Sequence, residues 1–239
     1  MFFKKDWKKP YISAIIPAAG SATRMNGLDK QFEEVAGIPV IVHTMQAISC
    51  SDWIDEMVVV ARQEDIPDLL ALIRAYAIAK VRSVVTGGTT RQRSVERGLA
   101  AVSQQTAYIA IHDGARPLVS QQVIAETVID AIRYGAAAAA VPVVDTIKIA
   151  EADRMIAKTP DRSKLFAVQT PQVFDVIRYR EAMQVAAAQK QDFTDDCQML
   201  EAIGQPVYLS QGDYANLKIT TPVDLLLAQA IAQYMEDTI

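Results

Sequence analysis

The sequence predicts an α/β protein whose Rossmann-like, mostly parallel sheet is flanked by helices. Short β-branched runs alternate with segments of helical periodicity along the first half of the chain. Polar or glycine-rich segments follow directly after these runs. A length of 239 residues is enough to bury one substantial core. The alternation of strand and helix predicts right-handed crossovers, parallel strands and helices on both faces.

Composition limits the class of protein. Hydrophobic residues make up 51% and charged residues 22%, which is typical of a globular domain. A net charge of −4 argues against a general nucleic-acid surface but leaves room for a small anion held by local cations. Cys50 and Cys197 lack metal-ligand spacing and suggest free thiols in a reducing compartment. Without a secretory signal or a membrane-length apolar run, we expect a soluble, cytoplasmic protein that binds no membrane.

The individual elements follow from local patterns. We predict strands at residues 11–16, 57–61, 81–85, 108–111, 136–144, 206–209 and 216–219, and helices at 39–48, 63–79, 95–102, 123–134, 175–189, 194–203 and from 221 onward. The strands are apolar or β-branched, and the helices carry apolar residues three or four apart. Pro39 suits the first turn of its helix, and Thr194 with Asp195 and Asp196 resembles an N-cap and an acidic first turn.

The first predicted strand ends in a loop of small residues, which suits a backbone that must approach a phosphate. The loop contains Ala18, Ala19, Gly20, Ser21 and Ala22. Their small side chains would leave amide N–H groups open to an anion, and Arg24 and Lys30 would add full positive charge. Neither the dinucleotide fingerprint nor the mononucleotide P-loop ending is present. The alternative is an ordinary strand-to-loop connection with surface cations.

A second glycine loop follows the strand predicted at 81–85. Gly87 and Gly88 suit a flat base packed against bare backbone, while the backbone amides and the Ser94 hydroxyl could meet its edge. A tight turn with a helix N-cap would also explain the glycines, but it would not explain Arg91. Both interpretations stay open.

The strand predicted at 108–111 ends in an acidic residue. Asp113 precedes a glycine and lies close to Arg116, so it is a candidate ligand for a divalent cation that carries phosphates. It could instead pair with Arg116, or do each at a different stage. Both alternatives place a charged group at the carboxyl edge of the sheet, where ligands bind in this fold class.

A change of pattern from Asp145 predicts a long hairpin arm, at about 145–170, inserted in a single domain that covers residues 1–239. Residues 146–149 alternate, and residues 151–154 resemble a turn. Such an arm is too thin to have its own core, so it usually packs on something else. A second subunit is the obvious candidate, which predicts a homodimer.

Eight motifs resemble, in order, those of 2-C-methyl-D-erythritol 4-phosphate cytidylyltransferases. They are Pro17-Ala18-Ala19-Gly20 with Arg24-Met25, Lys30-Gln31-Phe32, Gly87-Gly88 with Arg91 and Ser94-Val95, His112-Asp113-Gly114-Ala115-Arg116-Pro117, Val144-Asp145-Thr146, Gln169-Thr170-Pro171-Gln172, Thr194-Asp195, and Asn216-Leu217-Lys218-Ile219-Thr220. The resemblance implies transfer of a cytidylyl group from CTP to 2-C-methyl-D-erythritol 4-phosphate, with release of pyrophosphate, in non-mevalonate isoprenoid biosynthesis. It also implies Mg²⁺ on the triphosphate and arms exchanged in a homodimer.

The resemblance also implies roles for individual residues. Catalytic cations would be Arg24, Lys30, Arg162 and Lys218; CTP would contact Ala18, Ala19, Gly20, Ser21, Gly87, Gly88, Thr89, Arg91, Ser94 and Arg116; and the acceptor would contact Asp113, Thr146, Arg162, Thr170, Thr194 and Lys218. Asp113 would also be the metal ligand. Thr146 and Arg162 lie on the predicted arm and would reach the neighbouring subunit's site.

Two positions depart from the family pattern. Ala22 stands where relatives often carry glycine, and Thr89 stands where some carry an aspartate that faces the ribose. The second departure leaves the ribose contact open. Ribitol-5-phosphate cytidylyltransferase is the nearest alternative, although its members tend toward Ala-Gly-Gly in the first loop. A noncatalytic CTP-binding module is an alternative from another class, but it would not need the acceptor-side residues.

Overall fold

The computed structural model describes residues 8–20 and 30–237 of the chain. Its strands are β1 (Ile12–Pro17), β2 (Glu34–Val35), β3 (Ile38–Pro39), β4 (Glu56–Ala61), β5 (Val81–Thr86), β6 (Tyr108–Ile111), β7 (Ala136–Pro142), β8 (Ile149–Ala150), β9 (Ile156–Lys158), β10 (Phe166–Asp175) and β11 (Tyr208–Gln211). Its α-helices are α1 (Val40–Ser49), α2 (Ile66–Ala75), α3 (Arg91–Ala101), α4 (Gln121–Tyr134), α5 (Val176–Ala188), α6 (Asp196–Ala202) and α7 (Pro222–Glu236).

Seven strands form one mixed sheet in the order β11-β7-β10-β6-β1-β4-β5, which confirms the predicted α/β fold. The pairs within β6-β1-β4-β5 are parallel, as is the pair of β7 with β11. β10 lies between β6 and β7 and is antiparallel to both. The carboxyl ends of β1, β5 and β6 therefore lie at one edge of the sheet, where ligands bind in open α/β folds.

Two predicted segments differ in the structure. The sequence placed residues 166–170 in the arm, but β10 joins the main sheet from Phe166, which pairs with Pro142 of β7. The strand predicted at 216–219 is wrong, because this segment is not in a strand. Its backbone instead meets the loop after β6, where the Ile219 N–H donates to the Ala115 carbonyl at 2.8 Å. Its alternating apolar residues pack between α7 and that loop, which explains the misleading pattern.

The arm is a narrow hairpin between β7 and β10. Its two short strands, β8 and β9, pair with each other in an antiparallel ladder apart from the main sheet. The arm's base is closed by the Val143 N–H, which donates to the Leu165 carbonyl at 3.0 Å. Side chains along β8 and β9 are exposed.

Helices cover both faces of the sheet because the strands alternate their side chains. In β1, Ile12, Ala14 and Ile16 point into the core under α1, α2 and α4, whereas Ile15 points into the core under α3, α5 and α6. All four β1 side chains are fully buried. Within the described residues, no helix combines the length and apolarity that crossing a bilayer would require.

Gly98 allows α3 to lie directly on the sheet. A Cβ atom at this position would lie 2.6 Å from Cγ2 of Ile15 and 3.0 Å from Cγ2 of Val60. Both neighbours are fully buried branched side chains that have little room to move. The close approach matters for the site, because α3 begins at the glycine loop after β5.

We predict that Gly98→Val lowers the free energy of unfolding by about 1–3 kcal/mol, because the added atoms overpack the contact of α3 with β1 and β4. Urea denaturation measures the change. Ala100→Val is the matched control, since Ala100 is exposed on the same helix and should cost no more than about 0.7 kcal/mol. Equal losses in the two variants would contradict the close-packing argument.

Candidate active site

A cleft of about 360 Å³ opens at the carboxyl ends of β1, β5 and β6. Its described lining consists of Pro17, Ala19, Gly20, Lys30, Gln31, Gly88, Thr89, Thr90, Arg91, Ser94, Asp113, Gly114, Ala115 and Lys218. Four predicted features therefore meet in one cleft: the first loop, the glycine loop, Asp113 after β6, and Lys218. Segments almost 200 residues apart in sequence form this single cleft.

The first loop faces the cleft with Ala19 and Gly20. Ala18 was predicted to offer its N–H to an anion, but that N–H donates to the Val60 carbonyl at 2.7 Å, and the residue is 3% exposed. Ala18 therefore anchors the loop to the sheet. Lys30 lines the cleft, as predicted. Ser21 and Arg24 lie outside the described residues.

The glycine loop after β5 is packed against the first loop. A Cβ on Gly87 would collide with Cβ of Ala19, so only glycine fits this contact. The Ser94 hydroxyl accepts from the Gly88 N–H at 3.1 Å and donates to the Thr90 carbonyl at 2.9 Å. The predicted turn and the predicted binding loop are thus compatible, because Ser94 braces the turn and still lines the cleft.

Helix α3 begins four residues earlier than predicted. Thr90 is its N-cap, and its side-chain oxygen accepts from the Arg93 N–H at 3.2 Å. The cap places Arg91 in the first turn, where its side chain reaches the cleft. The sequence pattern missed this start because the first turn is polar.

Asp113 is a buried carboxylate surrounded by cations. Its oxygens lie 2.7 Å from Nζ of Lys218, 3.4 Å from Nε of Arg91 and 3.9 Å from Nε of Arg116. Burial alone would raise the pKa of Asp113, but the charges of Arg91, Lys218 and Arg116 outweigh it and hold the pKa well below the usual range. Asp113 therefore stays ionised at neutral pH.

The backbone of Asp113 is fixed from behind by Thr170. The Asp113 N–H donates to Thr170 Oγ1 at 3.0 Å. The same hydroxyl lies 3.1 Å from Nδ1 of His112. Nε2 of His112 lies 3.2 Å from the Arg116 carbonyl, which can only accept, so Nε2 carries the proton and Thr170 donates to Nδ1. Thr170 was predicted to contact the acceptor, but it is 3% exposed and instead positions Asp113.

Arg116 and Asn216 join two segments below the cleft. Nη1 of Arg116 donates to the Asn216 carbonyl at 2.7 Å, and Nδ2 of Asn216 donates to the Thr170 carbonyl at 2.8 Å. Both residues are buried, so Arg116 acts beneath the cleft in this structure and does not line it, contrary to the predicted contact with CTP. The bonds hold the segment that carries Lys218 against Asp113.

Sequence patterns missed a buried acidic residue on α6. Asp196 is 1% exposed, accepts from Nη1 of Arg91 at 2.5 Å and accepts from the Tyr179 hydroxyl at 2.6 Å. Burial alone would lower the pKa of Arg91, but Asp196 and Asp113 raise it above its ordinary value. From sequence, Asp196 was interpreted only as an acidic residue in the first turn of a helix.

Three predicted acceptor-side residues lie away from the described cleft lining. Thr146 and Arg162 are exposed on the arm, where Nη1 of Arg162 donates to the Val144 carbonyl at 2.6 Å. Thr194 is exposed and bonds to Gln198 at 3.2 Å, next to the N-cap Asp195 of α6. The chain's own arm therefore does not complete its own cleft in the described part of the structure.

The donor set suits a metal only in combination with phosphates. Within residues 8–20 and 30–237, no three or more His, Cys, Asp and Glu side chains form a cluster that could hold a metal ion. Asp113 is the single carboxylate in the described lining, and it is ionised. Mg²⁺ commonly uses one or two carboxylates and takes its other ligands from substrate phosphates and water, so Asp113 fits that mode.

Comparisons with known proteins agree along nearly the whole chain. A family model described as IspD: 2-C-methyl-D-erythritol 4-phosphate cytidylyltransferase matches residues 12–234. A protein of that name from Halalkalibacterium halodurans is 43% identical over 220 residues, covering 92% of this chain and 96% of the relative. Another, from Caldanaerobacter subterraneus, is 42% identical and covers 91% of this chain and 97% of its own.

Solved structures show the same relation. The chain resembles 4-diphosphocytidyl-2C-methyl-D-erythritol synthase from Anaerococcus prevotii with a TM-score of 0.85 at 33% identity, over 94% of this chain and 97% of the other. It resembles 2-C-methyl-D-erythritol 4-phosphate cytidylyltransferase from Thermus thermophilus with a TM-score of 0.78 at 33% identity, over 93% and 99%. The fold and the sequence thus point the same way.

The buried imidazole beside Asp113 predicts a pH effect on stability. Burial lowers the pKa of His112 from 6.5 to about 4, so the unfolded chain takes up this proton at higher pH than the folded protein does. As pH falls from about 6.5 to about 4, we expect the wild type to lose stability relative to His112→Asn, by at most on the order of 3 kcal/mol.

Urea denaturation of the metal-free protein at several pH values measures this difference. Asp113 adds little within that window, because the stability that its lowered pKa contributes is lost only as pH falls below about 4. Parallel stability curves for wild type and His112→Asn would contradict a neutral, buried His112.

Proposed function

The chain belongs to the 2-C-methyl-D-erythritol 4-phosphate cytidylyltransferase family, and we propose how its cleft carries out the family reaction. The enzyme transfers the cytidylyl group of CTP to 2-C-methyl-D-erythritol 4-phosphate, a step of isoprenoid biosynthesis. The observation that carries the proposal is the meeting of two backbone-lined loops with the Asp113–Lys218 pair in one cleft. The loops suit a nucleotide, and the lysine suits a second phosphate.

Two backbone-lined loops form the nucleotide side. Ala19 and Gly20 present little side-chain bulk, and Gly88 and Thr89 line the same cleft on the adjacent glycine loop. Backbone amides in such loops can approach phosphate oxygens or a base edge closely. We assign the triphosphate to the first loop and Lys30, and the cytidine to the glycine loop. Arg24 and Ser21 lie outside the described residues and remain proposed members of the triphosphate site.

Lys218 and Asp113 form the acceptor side. The Lys218 side chain is 38% exposed, so its ammonium can leave Asp113 for an incoming phosphate without unfolding its segment. Asp113 remains compensated by Arg91 and Arg116 when Lys218 turns away. Before substrate binds, Asp113 therefore keeps Lys218 in place and compensates the positive charges that are clustered at the cleft.

The reaction needs positioning and charge stabilisation more than a base. A phosphate-monoester oxygen attacks the α-phosphorus of CTP in line; the new P–O bond forms while the bond to the β-phosphate oxygen breaks, and pyrophosphate leaves. The nucleophile is already anionic at neutral pH, so no proton has to be removed. Lys30 and Lys218 bring the two polyanions together and offset charge that develops on the nonbridging oxygens.

We propose Mg²⁺ as the cofactor, with Asp113 as its protein carboxylate. When bound, Mg²⁺ would withdraw charge from the triphosphate oxygens. Asp113 can serve it because its three cationic neighbours keep it ionised, and because its backbone is fixed by Thr170. The same residue thus has two roles at different stages, as the sequence suggested.

We also propose a cytoplasmic homodimer in which each arm reaches the partner's site. The arm exposes large apolar side chains that a lone subunit leaves in water: Val144, Ile147, Ile149, Met155 and Ile156. Exposed apolar surface on a thin hairpin favours packing on a partner. Thr146 and Arg162, which do not line their own cleft, would then supply contacts to the acceptor in the neighbouring one.

Pyrophosphate release from CTP tests the activity directly. We expect turnover with 2-C-methyl-D-erythritol 4-phosphate and little or none with ribitol 5-phosphate, because the relatives and the matched family all carry the first name. Efficient turnover with ribitol 5-phosphate, or CTP binding with no turnover on either acceptor, would overturn the assignment.

We expect Lys30→Ala and Lys218→Ala each to lower kcat/KM by about a hundredfold or more, since each removes a preorganised cation from the transition state. Circular dichroism and size-exclusion chromatography should show normal folding and assembly. Arg74→Ala is the matched control, because it removes an exposed cation on α2, away from the cleft. Near-normal turnover in both lysine variants would contradict their roles.

Mixed dimers test whether the arm works across the subunit boundary. Arg162→Ala and Lys30→Ala should each be nearly inactive as homodimers. If arms are exchanged, coexpression restores about a quarter of the wild-type activity, because half the dimers are mixed and each of those has one intact site. An arm that serves its own cleft would give no recovery, so that result would reject the exchange.

A further inference from the structure

The residues at the start of α3, directly after the glycine loop, form hydrogen bonds with a short segment that leads into α6. Thr90 Oγ1 donates to Asp192 Oδ1 at 3.2 Å. Gln92 Oε1 accepts from the Phe193 N–H at 2.9 Å, and Arg91 donates to Asp196 at 2.5 Å. Three consecutive residues of the α3 start therefore each bond to residues 192–196. We refer to residues 192–196 as the clasp.

The buried part of the clasp is Asp196. Its carboxylate is 1% exposed and is satisfied by two donors, Nη1 of Arg91 and the hydroxyl of the fully buried Tyr179. Desolvation makes a lone buried carboxylate costly, so Asp196 fixes the guanidinium with both charges compensated. Tyr179 in turn prevents the carboxylate from rotating.

Arg91 connects the clasp to the reaction centre. Its Nη1 donates to Asp196, while its Nε lies 3.4 Å from Asp113. Arg91 also lines the cleft, at the start of the helix that follows the glycine loop. A displacement of Arg91 would therefore disturb both the nucleotide loop and the charge balance of Asp113.

We infer that Asp196, supported by Tyr179, is a positioning residue that holds Arg91 and the start of α3 in the geometry that CTP binding and transfer require. This inference rests on the proposed role of the glycine loop in binding CTP. Asp196 itself touches no substrate, because it is buried behind Arg91. Its effect on catalysis must therefore pass through Arg91.

Steady-state pyrophosphate release tests the inference with Asp196→Asn, which keeps the shape and removes the charge. We expect kcat/KM for CTP to fall by about tenfold or more, mostly through a higher KM for CTP. Tyr179→Phe should change KM in the same direction by a smaller factor. Glu201→Gln removes a charge from the exposed side of the same helix and should behave as the wild type.

A double-variant cycle separates positioning from a general loss of stability. If Asp196 acts through Arg91, adding Asp196→Asn to Arg91→Ala causes little further loss in kcat/KM. An equal loss in both backgrounds, or wild-type kinetics for Asp196→Asn, would overturn the inference. Should Asp196→Asn fail to fold, the cycle is run with Tyr179→Phe, which leaves both charges in place.

The experiment also distinguishes this inference from the proposed function. A wild-type enzyme that releases no pyrophosphate from CTP would defeat the proposed function itself. A wild-type enzyme that turns over normally, next to an Asp196→Asn variant with unchanged KM for CTP, would defeat only the positioning role of Asp196.

Discussion

The site depends on one buried carboxylate that three cations from separate parts of the chain compensate. Asp113 and Arg116 lie in the loop after β6, Arg91 begins α3, and Lys218 lies in the loop before α7. Without the carboxylate, the clustered cations would repel one another. Without the cations, burial of the carboxylate would cost too much free energy. The ion pairs thus determine how the three segments meet, and the sheet only brings them near.

The supporting contacts show how the fold protects this arrangement. Ala18 is tied to Val60, Gly87 rests on Ala19, and Thr170 holds the backbone of Asp113. Each is a neutral contact, and the one from Thr170 lies directly behind the charged Asp113. Neutral hydrogen bonds and close packing are insensitive to the arrival of a polyanion, so the backbone can stay in place while the charged side chains exchange partners.

Sequence patterns predicted most of the fold and the cleft's two loops with Asp113, because period-2 and period-3.6 apolar patterns and glycine-rich strand ends are local signals. Lys218 was predicted only from the family resemblance. The patterns could not predict that β10 runs antiparallel in mid-sheet or that 216–219 is irregular, since pairing partners are set by distant segments. They also missed Asp196 and the buried placement of Arg116 and Thr170. Those roles depend on which charge lies opposite in space, and no local pattern records that.

The arm's place in the topology has a consequence for how such proteins can vary. Its two ends continue β7 and β10, which are hydrogen-bonded neighbours with Pro142 opposite Phe166. Residues can therefore be gained or lost at the hairpin tip without altering strand register, because the arm leaves and rejoins the sheet at one pair of opposite residues. The fold thus permits the length and sequence of the arm to change while the main sheet stays the same.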